Sequence, residues 1–437
     1  MVEISAGHGE TVPGSPAPPQ AATPHERIGG LRAVLFILAW GGAFLAIITP
    51  VSSTLAVRLS QLSADQAEAA QALGWIMGVG SLISIVVTPL MGYLSDNTTV
   101  RWGRRRPWLV IGSVLTLAAL VALGLAPTIA LAAVAWWAIQ LCSSAVTMVL
   151  AAFMPDWVPE DQRGRIGGWV GIAQQCVPLA GIYVAQIVVS QNLPSVLLFL
   201  VPGVAGFLFV FVFAFVMPDK VVNRADVSRV SPLALLKSFT FSPRRYPDFA
   251  WAWLGRFLMA LMFQIYAIYQ LYFIVARFAP DLGDALTLQL LIGVVSVLVI
   301  IVSAHISGWY SDRTRRRKNG VYLGSGLFVV AMVMHAFAYD LAMLWAASIV
   351  ASVAIGVYFA IDLALVTDVL PEKETRAANG MGIFNMANAL PGSFAPFAAP
   401  FLLAIGGTGE NYVALWLAAA VVAVLGSLTV ARIRSVR

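Results

Sequence analysis

Apolar residues fall into twelve long runs separated by polar stretches: 31–57, 69–94, 107–127, 129–154, 164–190, 194–217, 249–276, 286–310, 321–338, 341–367, 377–404 and 411–431. A helix rises 1.5 Å per residue, so about 20 apolar residues cross the hydrocarbon core of a bilayer. The pattern predicts an all-α membrane protein with twelve transmembrane helices. The third and fourth runs meet in a tight turn at Pro127-Thr128. Residues 218–248 form the one long internal loop and divide the runs six and six. The predicted organisation is a disordered tail over 1–26, a six-helix half over 27–217, a central loop over 218–248 and a second half over 249–437.

Charge orients this scaffold. Of 27 Lys and Arg, alternation puts only Arg58 and Arg277 in loops on one side, with Arg256 inside a span. Every other basic residue falls on the opposite side. Basic loops stay in the cytoplasm, so both termini and the central loop are expected there. The other side carries Asp65, Glu68, Asp281, Asp284, Asp340 and Glu410.

Composition adds exclusions. Hydrophobic residues make up 59% of the chain and charged residues 11%, a balance foreign to soluble domains. The net charge of +6 sits in loops, so it reports topology and implies no nucleic acid. The tail lacks a basic segment followed by a short apolar one, so it does not read as a signal peptide. Cys142 and Cys176 lie within apolar runs and suggest no disulfide. No phosphate-binding loop or metal-ligand spacing occurs, so neither an enzyme nor a cofactor is expected. Gly164, Gly167, Gly168 and Gly171 open the fifth span and read as a helix-packing face.

One loop motif recurs. Gly92-Tyr-Leu-Ser-Asp96 precedes Arg104-Arg-Arg-Pro107, and Gly308-Trp-Tyr-Ser-Asp312 precedes Arg315-Arg-Arg-Lys318, about half a chain later. Gly92 and Gly308 would let a partner helix approach. Asp96 and Asp312 stand where a helix N-terminus of the opposite half could donate to them. Arg104 and Arg316 could reach Asp156 and Asp368, which end the fourth and tenth spans. Together they form a candidate gate; the alternative is that the arginines only set topology.

Polar groups within spans are costly unless they face the bundle interior or a wet cavity. Gln140, Ser143, Ser144 and Thr147 share one face of the fourth span, extended by Trp136 and Trp137. Amides and hydroxyls suit sugar hydroxyls, and flat rings suit a pyranose face. The alternative is close helix packing. Arg256 and Asp362 are opposite charges about 10 Å from the same boundary, a candidate coupling pair or a structural one. Phe263, Gln264, Gln270, Tyr358, Asn385 and Asn388 add polar and aromatic candidates for a substrate site in the second half. His305 and His335 could titrate, but such histidines are more often inert.

Twelve spans split six and six, with this repeated loop, resemble the major facilitator superfamily over residues 31–431. Pro89-Leu-Met-Gly-Tyr-Leu-Ser-Asp96, Arg101-Trp-Gly-Arg-Arg-Arg-Pro107, Thr49-Pro50 and Trp137 resemble its sucrose–proton symporter branch. The resemblance implies two pseudo-symmetric halves rocking around a midplane site. It places spans seven and ten side by side and His335 on the lipid side. It also implies a monomer taking up a sugar or glycoside with protons. One departure stands out: where that branch has a coupling aspartate, this chain has Gln140, which cannot titrate. The competing readings are an uncoupled sugar facilitator and a proton-antiport exporter of a lipophilic drug or metabolite. The fifth span's Pro178 and Gly181 without a Gly-Pro pair count against export.

Overall fold

The computed structural model describes residues 28–219, 221, 244, 246–314, 317–369, 386–388, 390–406 and 410–432. The predicted tail and nearly all of the central loop lie outside them. Among the described residues the chain forms twelve principal helices and no strand. In order they are α1 (Gly30–Leu62), α2 (Gln66–Asp96), α3 (Arg106–Leu125), α4 (Ile129–Trp157), α5 (Glu160–Ser190), α6 (Leu197–Val216), α7 (Pro247–Arg277), α8 (Leu282–Thr314), α9 (Arg317–Ala336), α10 (Leu341–Val369), α11 (Pro391–Leu403) and α12 (Tyr412–Ala431). Eleven are long and apolar enough to cross a membrane. The exception is α11, whose continuous part is 13 residues, because the first part of its predicted span lies outside the described residues. The protein is an all-α, multi-pass membrane protein.

Helix ends explain where the charges sit. Each even-numbered helix starts at the rim that carries the acidic loops. There Asp65, Asp281 and Asp340 accept from the backbone N–H groups of Glu68, Asp284 and Met343, at 2.7, 3.1 and 2.8 Å. Thr128 and Asn411 cap α4 and α12 in the same way. A side-chain oxygen here satisfies a donor the helix cannot, and a carboxylate also favours the positive end of the helix dipole. The two arginines on this rim are the counterpart. Arg58 donates to Ala126 O at 2.7 Å, just past α3, and Arg277 donates to Ala336 O and Ala338 O at the end of α9. Each arginine thus closes the C-terminus of the third helix of its own half.

Within α1 the winding changes at Pro50–Thr54 to a π turn. Pro50 has no N–H to donate, and the Leu55 N–H reaches Pro50 O, five residues back.

The halves touch near the acidic rim. Tyr272 on α7 donates to Ala56 O on α1 at 3.1 Å, beside the bond within the second half from Tyr269 to Pro396 O on α11 at 3.4 Å. Gly74 and Gly78 of α2 lie so near α11 that an added Cβ would meet Pro396 O at 2.5 Å or the Phe397 ring at 2.6 Å. Leu179 of α5 is packed against Gly293 of α8. One apolar core accordingly runs through both halves, from Leu73 and Ile76 to Tyr269, Ala395 and Ala399. At the basic rim the first half keeps a second core of its own around Phe36, Leu109, Phe153 and Phe213.

The glycines of α5 correct the packing expectation. A Cβ at Gly164, Gly167, Gly168 or Gly171 would meet no described atom within 4 Å, and the same holds for Gly308 on α8. These glycines face open space rather than a described helix. His335 also departs from its expected lipid-side place. It is fully buried, bonded to Ala331 O at 2.8 Å and boxed by Tyr266, Phe273 and Trp416.

Close approach inside the first half rests on α1 and α6. A Cβ at Gly206 would stand 2.5 Å from Gly42 O, with backbone on both sides and nothing flexible to give way. We predict that Gly206→Val lowers stability by about 1–3 kcal/mol, the usual cost of overpacking. Gly326→Val, which meets only open space, should stay within about 0.5 kcal/mol. Thermal unfolding in detergent compares them, and equal melting temperatures would refute the close-packing account.

Candidate functional site

Below the Tyr272 contact, helices of the two halves meet again at α2, α7 and α11. A Cβ on Gly392 of α11 would lie 3.3 Å from both Gln264 Nε2 on α7 and Ser81 Oγ on α2. Gln264 and Ser81 are half-buried. Two polar side chains from opposite halves thus converge where Gly392 leaves room for them. Gln264 was expected from sequence. Ser81 was missed, because a lone serine in an apolar run carries no periodic signal.

Eight residues before Gln264, about 12 Å nearer the basic rim, stands Arg256. Its Nε donates to Asn388 Oδ1 at 2.6 Å, and its guanidinium lies 4.8 Å from the centre of the Phe359 ring. Phe359 also meets Phe263 and Tyr358 edge-on, at 5.9 and 5.6 Å. Four predicted residues, Arg256, Asn388, Phe263 and Tyr358, are therefore gathered around one ring that sequence reading passed over. Asn385 and the Asp362 side chain lie outside the described residues.

Gln270 is not part of this group. It lies beyond the Tyr269 seal and donates to the Tyr266 hydroxyl at 3.0 Å. Tyr266 in turn packs against His335 and Trp416 in the second-half core.

The stripe on α4 is divided among neighbouring helices rather than facing one cavity. Trp136 is buried against Gly80 of α2. Trp137 donates to Ile76 O at 3.1 Å and meets Trp75 edge-on. Gln140 donates to Gly80 O, and Ser144 donates to Gln140 O while touching Ser84. Ser143 instead borders a small void of about 20 Å³ among α1, α3 and α6. Thr147 returns its hydroxyl to Ser143 O. Four polar residues at helical spacing share a face, but four helices border that face: α2 takes most of it, and α1, α3 and α6 surround Ser143. Close packing with α2 is the contact the structure supports for most of the stripe.

The loop after α2 is held by ion pairs. Arg104 meets Asp156 at 2.9 Å, as its spacing suggested, and Arg105 meets both Asp156 and Asp96, at 2.9 and 3.3 Å. Asp96 is 54% exposed, and its ion-pair partners come from its own loop, not from the opposite half. Gly92 lies beneath Met148 of α4. A third carboxylate was missed. Asp219, just past α6, accepts from the backbone N–H groups of Arg105 and Arg106 at 2.9 and 2.8 Å. It caps α3 from a distance, and Gly103, with φ +106°, makes the turn that admits it. Of the second copy, Arg316 and the side chains of Asp312 and Asp368 lie outside the described residues.

The Asp219 cap should hold this loop in place. Each charge-assisted bond is worth about 1.5–3 kcal/mol, so Asp219→Ala should speed tryptic cleavage between residues 97 and 106 at least tenfold. An unchanged cleavage rate would show that the ion pairs of Arg104 and Arg105 suffice alone.

Comparison with known proteins places these features. A family model described as Major Facilitator Superfamily matches residues 31–396 and 271–436. A sucrose transport protein of Oryza sativa is 32% identical over 80 residues, 18% of this chain and 13% of that protein. A lactose permease of Lactobacillus helveticus is 39% identical over 62 residues, 14% of this chain and 10% of the permease. A general alpha-glucoside permease of Schizosaccharomyces pombe is 33% identical over 113 residues, 22% of this chain and 20% of that one. Each match thus spans a fifth or less of the relative's length. Among solved structures, a D-xylose-proton symporter has a TM-score of 0.67 at 16% identity, covering 92% of this chain and 97% of its own. The nucleoside transporter NupG has a TM-score of 0.71 at 13% identity, covering 92% and 99%. These likenesses concern the fold.

Proposed function

The chain belongs to the Major Facilitator Superfamily, and on that premise we propose that it moves a sugar or glycoside across the membrane by alternating access, coupled to protons. The observation that carries the reading is the polar meeting point of Ser81, Gln264 and Gly392, with the Arg256–Asn388 pair over Phe359 below it. The amide, hydroxyl and guanidinium groups offer donors and acceptors to sugar hydroxyls, and Phe359 and Phe263 offer flat apolar faces. A lipophilic substrate would not need this polarity. The sucrose, lactose and alpha-glucoside transporters among the partial relatives agree with it. We take the basic rim as cytoplasmic, which makes this conformation open to the inside.

The transport cycle follows from what each rim holds. Opening outward would separate Tyr272 from Ala56 and α11 from Gly74 and Gly78, and would bring the basic-rim ends of α5 and α8 together. The glycines now facing space would then lie in the closing surface. Asp96 and Asp312 would meet the opposite half, with Arg104 and Arg316 holding Asp156 and Asp368. Asp362, which the sequence puts at a depth matching that of Arg256, is the candidate proton carrier.

A second reading, an uncoupled facilitator, has one observation behind it. Gln140 cannot titrate, and it is engaged with Gly80 O.

Sugar binding to the purified protein tests the site. Gln264→Ala should weaken affinity about 3–10-fold, the worth of a neutral hydrogen bond, while Gln270→Ala should change it less than twofold. Calorimetry that finds the two variants alike would move the site elsewhere. Coupling is tested in proteoliposomes loaded with radiolabelled sugar. Asp362→Asn should abolish accumulation along a pH gradient yet spare exchange of internal for external sugar. A mutant that still accumulates sugar would exclude Asp362 as carrier, and a wild type that never does would favour the facilitator.

A further inference from the structure

Away from the Gln264–Ser81 meeting point, the second half carries a groove of about 640 Å³ between α8 and α9, floored by α10. This falls within the ~300–1,000 Å³ typical of sites that hold a small molecule. The groove exists because α10 is sandwiched between two helices that scarcely meet. Gly356 lets α8 sit against α10 at Ser303, and Gly320 and Gly324 let α9 sit against α10 at Ile361 and Tyr358. With α8 and α9 each drawn onto α10, a slot is left between them.

The slot has a polarity gradient. Its outer lip on α8 is Leu298, Val302 and Ile306, each about 60% exposed. Val353 and Val357 form the floor. Toward the basic rim the lining turns polar, with Ser307, Tyr310 and Asn319. Two cations flank that end. Arg313 lies over the Trp309 ring at 5.6 Å, one turn from Tyr310, and Lys318 precedes Asn319 in the chain. Aromatic rings and basic side chains at this depth mark the level of lipid headgroups.

We propose that this groove binds one anionic phospholipid from the leaflet that meets the basic rim. An acyl chain would occupy the apolar length between Leu298 and Ile306. The phosphate-bearing head would lie at Tyr310 and Asn319, attracted by Arg313 and Lys318. The apolar length rules out a hydrophilic ligand such as a sugar, and the flanking cations select a negative head over a zwitterionic one. Because α10 also carries Phe359 on its way to the central site, an occupied groove would brace the helix behind the Arg256 group. The proposal does not rest on the substrate or the direction of transport.

Native mass spectrometry of the detergent-purified transporter tests it, titrated with phosphatidylglycerol or phosphatidylcholine of identical chains. One phosphatidylglycerol should be retained with a preference of roughly 30-fold, the combined effect of two basic side chains near a membrane surface. Ile306→Trp, which fills the lip, should abolish retention of that molecule. Arg313→Gln with Lys318→Gln should leave retention but reduce the preference to about twofold or less. Glycerol phosphate alone, added at the same concentrations, should neither bind nor compete. Equal retention of both lipids by wild type, or a preference that survives both variants, would overturn the proposal. Competition by glycerol phosphate would overturn it too, by showing a simple anion site. Sugar binding measured on the same samples reads out the transport proposal separately, so either can fail alone.

Discussion

The bilayer core offers no water to a backbone polar group, so every N–H and C=O that a helix leaves unpaired must be met at one of two rims. Much of the polar chemistry in this chain answers that demand. On the acidic rim the carboxylates are caps for helices running away from them, and the two lone arginines close helices that arrive. On the basic rim α3 begins in a run of three arginines, which supply no acceptor of their own. Its first N–H groups are satisfied only because Asp219 returns from the end of α6. Charge asymmetry between the rims is thus also a division of labour between cap types.

The same constraint shapes how the halves meet. A wet interface is unavailable inside the membrane, so contact between halves takes the form of small residues and hydroxyl-to-carbonyl bonds. Gly74, Gly78 and Gly293 bring the helices together, and Tyr272 donates across the gap. These contacts gather at one rim and merge the two halves into a single apolar core there. The first half stays self-contained at the other rim because Phe36, Phe153 and Phe213 pack on one another.

Helices were legible in the sequence because apolar runs bounded by caps leave little freedom. The run 107–127 became Arg106–Leu125, and 411–431 became Tyr412–Ala431. The Arg104–Asp156 pair was legible because both residues end helices at the same rim. Periodicity says which residues share a face but not which neighbour covers it. That is why the α4 stripe, one face on paper, is shared among α1, α2, α3 and α6. It is also why Phe359 and Ser81 went unnoticed, since neither differs locally from its apolar surroundings. Asp219 was hidden for another reason: it serves a helix more than a hundred residues away in the chain, a relation no local pattern records.

The two rims differ in the kind of force that holds them. The tyrosine seal has no net charge, so dissolved ions have nothing there to screen. The loop after α2 is held by arginine–carboxylate pairs, and at physiological ionic strength exposed charges are screened beyond about 8 Å. Added salt therefore acts on the ion pairs of that loop and leaves the tyrosine seal alone. In a protein that must loosen one end while holding the other, ionic strength becomes a one-sided variable, and its effect falls on the end bearing Asp96, whose side chain is already half in water.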